Sequence, residues 1–99
     1  ANIVHRDEHL IAFADLHPQA PVHLLLVPLV HIANLNASTK NDQQLYGHLL
    51  ITASHLAEQY KIAAPGYRVI INTNELAGQT VPHLHLHLLG GRTLSWPPG

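Results

Sequence analysis

Apolar side chains are grouped along the chain in runs that predict four β-strands. Residues 9–15 form a short apolar run, and residues 22–28 are nearly all apolar, as in a strand that is buried on both faces. Residues 67–72 are rich in β-branched side chains, and residues 81–89 form the last long strand. Prolines and glycines lie between these runs, so each run is predicted to end in a turn or loop.

The stretch between the second and third runs has the period of an amphipathic helix. Apolar side chains recur at intervals of three and four from residue 45 to residue 60. Ser38 and Thr39 offer N-terminal caps, and Asp42 falls in the first turn. We therefore predict one helix that ends at about Lys61 and is roughly 30 Å long.

The order of these elements predicts the fold class. Two strands, a helix and two strands follow each other with short connections, after a polar, strand-like start at Ala1. Short connections favour antiparallel pairing, and one amphipathic helix can cover one face of a small sheet. We predict an α+β fold over residues 1–99, a single domain with a mainly antiparallel sheet of about five strands and one long helix packed on it.

Residues 81–92, VPHLHLHLLGGR, carry the most unusual pattern in the chain. Successive side chains of a strand point to opposite faces, so His83, His85 and His87 are predicted to share one face and three leucines the other. We expect the leucines to lie in the core, where each contributes about 1.5–3 kcal/mol. The histidine face needs a chemical explanation.

Composition narrows the possible functions. Ten of the 99 residues are histidine and none is cysteine, which excludes disulfide and thiolate chemistry. The formal net charge is −1 and 11% of the residues are charged, with no basic run that indicates nucleic acid. No apolar stretch is long enough to span a bilayer and no signal peptide is visible, so we predict a cytoplasmic protein with neither a membrane nor a nucleic-acid partner.

Three explanations of the histidine face are open. It could be an exposed polar face that happens to use histidine, or a His-only metal site. It could also perform histidine chemistry on a phosphate, because neutral imidazole is a nucleophile near pH 7. Gly90 and Gly91 would allow close approach of a ligand, and residues 78–80, Gly-Gln-Thr, supply a flexible backbone, an amide and a hydroxyl. These neighbours favour the phosphate explanation.

The sequence resembles the histidine triad family over essentially its whole length. Residues 83–89, HLHLHLL, match that family's signature of histidines alternating with apolar residues at every position. Residues 15–23, DLHPQAPVH, and residues 66–68, GYR, are similar to its upstream blocks. The segments GGR at 90–92 and WPPG at 96–99 resemble its nucleotide-binding phosphoramidase branch, often called the Hint branch.

The resemblance implies a homodimer whose two sheets join into one, and a hydrolase that requires no cofactor or metal. The implied reaction cleaves the P–N bond of a purine nucleoside 5′-phosphoramidate to give a nucleoside monophosphate, such as AMP, and an amine, through a nucleotidyl-histidine intermediate. Two alternatives stay open: a hydrolase of dinucleoside polyphosphates or adenylated adducts from the same family, and a nucleotide-binding protein with little turnover. Family members usually begin with a helix that helps to wall the base pocket, and that helix is expected to be missing here.

The resemblance also implies roles for individual residues. His85 would be the nucleophile, with its other ring nitrogen held by the carbonyl of His83. His87 would contact a phosphate oxygen, and His23 would support the proton network. Asp15 would accept hydrogen bonds from the ribose hydroxyls. The other implied nucleotide contacts come from the base pocket, the phosphate loop and the C-terminal tail: Phe13, Leu16, Asn72, Gly78, Thr80 and Trp96.

Simpler interpretations compete with these roles. Asp15 could cap the proline-rich turn that follows it, His23 could be a satisfied core residue, and Trp96 could anchor the tail on its own subunit instead of lying near the partner's site. Thr80 stands where this branch commonly has serine, whose rotamer preferences differ. The other six histidines are interpreted as surface or turn residues: His5, His9, His17, His31, His48 and His55.

Overall fold

A computed structural model describes residues 2–99 and contains one sheet and one long helix. The strand-like start of the chain is observed as the first strand, Ile3–Arg6, and only Ala1 lies outside the described residues. The strands are hydrogen-bonded in the order β1-β2-β3-β5-β4, and every neighbouring pair is antiparallel. This arrangement confirms the predicted α+β fold. The elements in chain order are β1 (Ile3–Arg6), β2 (Leu10–Ala14), β3 (Val22–Pro28), α1 (Gln43–Gln59), β4 (Tyr67–Ile70) and β5 (Leu86–Gly90).

The core lies between α1 and one face of the sheet. Leucines that alternate along β3 and β5 point to this face and meet the apolar stripe of the helix. The leucines at 84, 86 and 88 are at most 2% exposed, so the predicted leucine face is confirmed as core. The residues buried in this layer include Leu24, Leu26, Leu86, Leu88, Leu49, Ala53 and Leu56.

The helix begins slightly later than predicted. Thr39 is a cap, but of a short 3₁₀ turn over Lys40–Asp42, and α1 follows from Gln43. The Thr39 side chain accepts from the Asn41 N–H at 3.2 Å, and the Asp42 carboxylate accepts from the Thr39 N–H at 2.8 Å. Within residues 2–99, no helix is both long and apolar enough to cross a membrane.

The last strand is shorter than predicted, and it begins after the first two triad histidines. We predict a strand over residues 81–89, whereas β5 starts at Leu86, so His83 and His85 precede it. The side chains still alternate, because the leucines here are buried and the histidines are half-buried. The shared histidine face is therefore produced by an extended segment that leads into β5, and only partly by the strand itself.

The reason for the late start lies in two prolines. Pro82 has no N–H for a ladder, and the His83 N–H bonds to the Val81 carbonyl at 2.9 Å across a bend. On β3, the carbonyl of Pro28 accepts from the His83 ring at 3.0 Å instead of from a neighbouring strand. The β3–β5 ladder ends at the pair of Leu26 with Leu86.

Gly90 and Gly91 are required by the chain's own packing. A Cβ on Gly90 would lie 2.7 Å from Cδ1 of Ile62, which is buried beneath it. Gly91 has φ +93°, and a Cβ there would lie 2.9 Å from Cβ of Pro21. The close approach that we attributed to a ligand is thus made by Ile62 and Pro21.

A single carboxylate fastens the β1–β2 turn to α1. Asp7 Oδ2 accepts from Nε2 of His5 and from Nε2 of His48, each at 2.7 Å. Its Oδ1 accepts from the N–H groups of His9 and Leu10. Burial raises the pKa of Asp7, but these hydrogen bonds outweigh burial and hold the pKa well below its usual range. Two histidines interpreted as surface residues therefore connect the turn to the helix.

Candidate active site

The strand register brings the predicted site residues together on the sheet face that α1 leaves uncovered. Phe13 of β2 lies opposite Leu25 of β3, and Leu25 lies opposite His87 of β5. Directly opposite residues share a face. Asp15 follows β2, and its N–H donates to the His23 carbonyl at 3.0 Å. Asp15 and His23 therefore lie opposite each other on the same face, two positions along their chains from Phe13 and Leu25.

His85 is held in one tautomer by the backbone. Its Nδ1 lies 2.8 Å from the carbonyl oxygen of His83. A carbonyl can only accept, so Nδ1 is the protonated nitrogen of neutral His85 and Nε2 keeps its lone pair. The contact implied between the His83 carbonyl and the His85 ring is present, and it leaves a half-buried imidazole with one nucleophilic nitrogen.

A second backbone group orients two further imidazoles. The Gln19 N–H donates to Nδ1 of His23 at 3.0 Å, so neutral His23 carries its proton on Nε2. That Nε2 lies 2.9 Å from Nδ1 of His87. Because His23 donates here, Nδ1 of His87 accepts, and the proton of neutral His87 is on Nε2. Gln19, His23 and His87 thus form a directed chain that ends in a donor on the uncovered face.

Asp15 caps the turn that follows it and also faces His23. Its Oδ1 accepts from the His17 N–H at 2.8 Å, which caps the proline-rich turn. Its Oδ2 lies 3.5 Å from Nε2 of the buried His23. The carboxylate is half-buried at the end of β2, so one oxygen is used by the turn and the other faces the histidine chain.

Burial favours the neutral forms of His23 and His87 by lowering their pKa values. It lowers the pKa of His23, and the Asp15 carboxylate opposes that change. Burial also lowers the pKa of His87; the neighbouring His85 and His23 lower it further, and Asp15 again raises it. Neutral rings are what the directed chain needs, since each ring must both accept and donate.

Comparison with known proteins places this site in a family. The sequence profile of the HIT domain matches residues 1–94. The chain belongs to the HIT domain family. An uncharacterized HIT-like protein of Synechococcus elongatus is 54% identical over 99 residues, with 100% of this chain and 86% of that protein covered.

Two solved HIT structures are close to this fold. The crystal structure of a HIT family hydrolase from Legionella pneumophila has a TM-score of 0.98 and 46% identity, covering 100% of this chain and 88% of that one. A HIT family hydrolase from Clostridium thermocellum has a TM-score of 0.91 and 44% identity, covering 95% of this chain and 82% of that one. These similarities support a hydrolase of the HIT family.

Part of this HIT site could also hold a metal ion. Asp15, His23 and His87 each offer one ligand atom, and these atoms lie within 4.8 Å of one another. The metal explanation therefore gains a carboxylate that the triad itself lacks. A metal here would have to displace the proton that His23 and His87 share at 2.9 Å.

Among residues 2–99, the remaining predicted site residues make no side-chain hydrogen bond to the triad. Leu16 and Trp96 are 80% and 81% exposed, so Trp96 does not anchor the tail on its own chain. Asn72, Gly78 and Thr80 follow β4, and Thr80 lines a cavity of about 360 Å³ with residues of the same loop and Asn34. Their nucleotide roles remain predictions.

One contact was missed by the sequence interpretation. His31, interpreted as a surface residue, has its Nδ1 3.3 Å from Nδ1 of His83. The two residues are 52 positions apart, and no periodic pattern links them. Only the path of the segment after β3 brings His31 back to the triad.

We expect the free energy of unfolding to fall as the pH is lowered from about 7 to about 5. The pKa values of His23 and His87 are lower in the folded state than in the unfolded chain, where histidine has a pKa of about 6.5. The unfolded chain therefore binds more protons in this range. The contribution of the two histidines to stability is complete above about pH 6.5, and it is lost as the pH falls toward their pKa values in the folded state. Urea denaturation across this range measures the slope.

Two variants isolate the source of this pH dependence. His87→Asn should flatten the slope between about pH 5 and 7, because it removes one of the two groups responsible. His55→Asn, at an exposed position of α1, should keep the wild-type slope. Equal slopes for His87→Asn and the wild type would contradict the assignment.

Proposed function

We propose that this HIT protein hydrolyses purine nucleoside 5′-phosphoramidates to a nucleoside monophosphate and an amine, as in the Hint branch. The observation that carries the proposal is the His85 ring, whose Nδ1 donates to the His83 carbonyl and whose Nε2 keeps its lone pair on the uncovered face of the sheet. A neutral imidazole held in this tautomer is suited to attack phosphorus near pH 7. The GGR and WPPG segments support the choice of this branch.

In the first step, Nε2 of His85 forms a bond to the α-phosphorus and the P–N bond breaks. The amine leaves with the electron pair of that bond and takes up a proton from water. The imidazole becomes positively charged when it is bonded to phosphorus, which strengthens the hydrogen bond from Nδ1 to the His83 carbonyl. In the second step, water attacks phosphorus and releases a proton, which replaces the proton that bulk water gave to the amine; the P–Nε2 bond breaks, and His85 recovers its lone pair.

His87 stabilises the phosphoryl group in both steps. Its Nε2–H, set by the chain from Gln19 through His23, donates to a non-bridging oxygen as negative charge develops there. The donor is oriented before substrate binds, so little reorganisation is needed at the moment of reaction. Asn72, Gly78 and Thr80 are assigned to the phosphate and leaving amine, and Phe13 and Leu16 to the base.

Direct substrate comparison tests the proposal. The wild-type chain should release AMP from adenosine 5′-phosphoramidate much faster than from a diadenosine polyphosphate. A chelator should leave the rate unchanged, because the proposed steps use imidazole nitrogens alone. Preferential cleavage of the polyphosphate would favour the alternative hydrolase, and binding of AMP without cleavage of either substrate would favour a nucleotide-binding protein.

We expect Asp15→Asn to raise KM by about tenfold or more while changing kcat much less. A ribose contact is made equally in the ground state and the transition state, and a hydrogen bond to a charged group contributes about 1.5–3 kcal/mol. Asparagine keeps an oxygen that can accept from the His17 N–H, so the turn is preserved. Steady-state kinetics measures both constants. A fall in kcat alone would indicate that Asp15 acts through His23 instead.

We also propose a homodimer, formed through the β4 edge of the sheet. β4 has a strand neighbour on one side only, and an unpaired edge is a template for a second chain. Leu50 and Ile51 are at least half exposed on α1, and Trp96 projects from the tail, so apolar surface is available to a partner. Analytical ultracentrifugation reports the mass in solution.

A further inference from the structure

His31 adds a fifth histidine to the group formed by the triad and His23. Among residues 2–99, its ring is the one that joins this group through a side-chain contact with His83. The two Nδ1 atoms are 3.3 Å apart, and the ring centroids are 5.1 Å apart at an angle of 70°. His31 lies in the segment that follows β3, where it is exposed. The same segment holds the neighbouring backbone, because the Leu84 N–H donates to the Ile32 carbonyl at 2.7 Å.

Backbone chemistry fixes the direction of the contact between His31 and His83. Nε2 of His83 lies 3.0 Å from the Pro28 carbonyl, which can only accept, so this nitrogen carries a proton. In neutral His83 the Nδ1 atom is then an acceptor. The contact is a hydrogen bond only if Nδ1 of His31 donates to it. The His83 ring is thus held at both nitrogens, by Pro28 on one side and by His31 on the other.

The position of the His83 ring matters for His85 because no ladder holds His83. β5 begins at Leu86, so the His83 backbone has no strand partner on β3. Its carbonyl is the acceptor that fixes the tautomer of His85. The two hydrogen bonds to the His83 ring, with the bond from Leu84, therefore replace the ladder as the support of that carbonyl.

We propose that His31 is a positioning residue: it holds the ring of His83, and through the His83 carbonyl it holds His85 in the tautomer that leaves Nε2 nucleophilic. The kinetic part of this inference rests on the proposed function. The tautomer of His85 is a property of the free protein and can be measured without any substrate. The alternative is an incidental contact between the exposed ring of His31 and the half-buried ring of His83.

Three variants separate these possibilities. His31→Leu removes the donor. His31→Asn keeps an N–H donor at about the position of Nδ1. His55→Leu removes an exposed histidine of α1 that has no hydrogen bond to the triad. Each variant is measured for kcat and KM with adenosine 5′-phosphoramidate, and by ¹⁵N NMR of the imidazole nitrogens, which reports the proton on Nδ1 of His85.

His31→Leu is expected to lower kcat by about tenfold with KM nearly unchanged, because small misplacements of a reacting group have effects of this order or larger. It should also reduce the fraction of His85 that is protonated on Nδ1. His31→Asn should recover most of both properties, and His55→Leu should match the wild type. Recovery by asparagine distinguishes a hydrogen-bonding role from simple packing.

Two results would overturn the inference. One is a His31→Leu variant with wild-type kcat and an unchanged His85 spectrum. The other is a His31→Asn variant that folds normally but is as impaired as His31→Leu. If the wild-type chain does not cleave the phosphoramidate, the proposed function fails, and the NMR comparison alone still decides the role of His31: an unchanged His85 signal rejects it, and a lost Nδ1–H signal supports it.

Discussion

Replacement of His85 by alanine should reduce phosphoramidate turnover by about a thousandfold or more while the fold stays intact. The proposed reaction has no route around a missing nucleophile, and removal of a nucleophile from other hydrolases has effects of at least this size. The His85 side chain is half-buried on the uncovered face, so its loss opens no cavity in the leucine core. Single-turnover kinetics and circular dichroism measure the two expectations.

The matched control for this variant is His55→Ala, which truncates an exposed histidine on α1. It should have wild-type kinetics. AMP binding, measured by calorimetry, should survive in His85→Ala, because the ribose and base contacts are assigned to other residues. Comparable rates for His85→Ala and the wild type would contradict the assignment of His85 as the nucleophile. Loss of AMP binding in this variant would show that His85 also binds the ligand.

Gly91→Ala should destabilise the protein by about 2 kcal/mol or more. Gly91 has φ +93°, a conformation that costs other residues about 1–3 kcal/mol. An alanine Cβ would also lie 2.9 Å from Pro21, so one of the two segments would have to move. Urea denaturation measures the change in the free energy of unfolding.

Gly47→Ala is the matched control for Gly91→Ala. Gly47 lies within α1 and has nothing within 4 Å of an added Cβ. Alanine there should stabilise the helix by about 0.5–1 kcal/mol, the opposite sign. Two similar, small effects at the two glycines would contradict the packing explanation of Gly91.

The effect of Gly91 extends toward the site. Pro21 follows the turn that presents the Gln19 N–H to His23, and the Arg92 side chain donates from Nε to the Gln19 carbonyl at 3.0 Å. The segment after β5 therefore supports the backbone group that orients the histidine chain. Gly91 and Arg92 are not predicted ligand contacts, yet they support the site through Pro21 and Gln19.

Local pattern was sufficient to predict the fold. Alternating leucines, one helical stripe and short connections lead directly to an antiparallel sheet with one helix on it. The prediction was wrong at residues 81–85, because the pattern of side chains continues there while the ladder does not. The competing bond, from the His83 ring to the Pro28 carbonyl, joins residues 55 positions apart and has no signature in the sequence.

The candidate site was predicted in composition and only partly in geometry. The triad and the resemblance identify the histidines, and the register of β2, β3 and β5 then places Phe13, Asp15 and His23 on the same face. The resemblance already implied the contact between the His83 carbonyl and the His85 ring, whereas the Gln19 N–H, which sets the tautomer of His23, comes into reach only in the folded chain. The contact of His31 with His83 depends on tertiary structure for the same reason.

The stereochemistry at phosphorus tests the central claim most directly. An adenosine 5′-phosphoramidate made chiral at phosphorus with oxygen isotopes is hydrolysed, and the configuration of the product is read by ³¹P NMR. Attack by His85 followed by attack by water inverts the phosphorus twice, so the account predicts overall retention. Overall inversion would mean that water attacks the substrate directly, and it would contradict a nucleotidyl intermediate on His85.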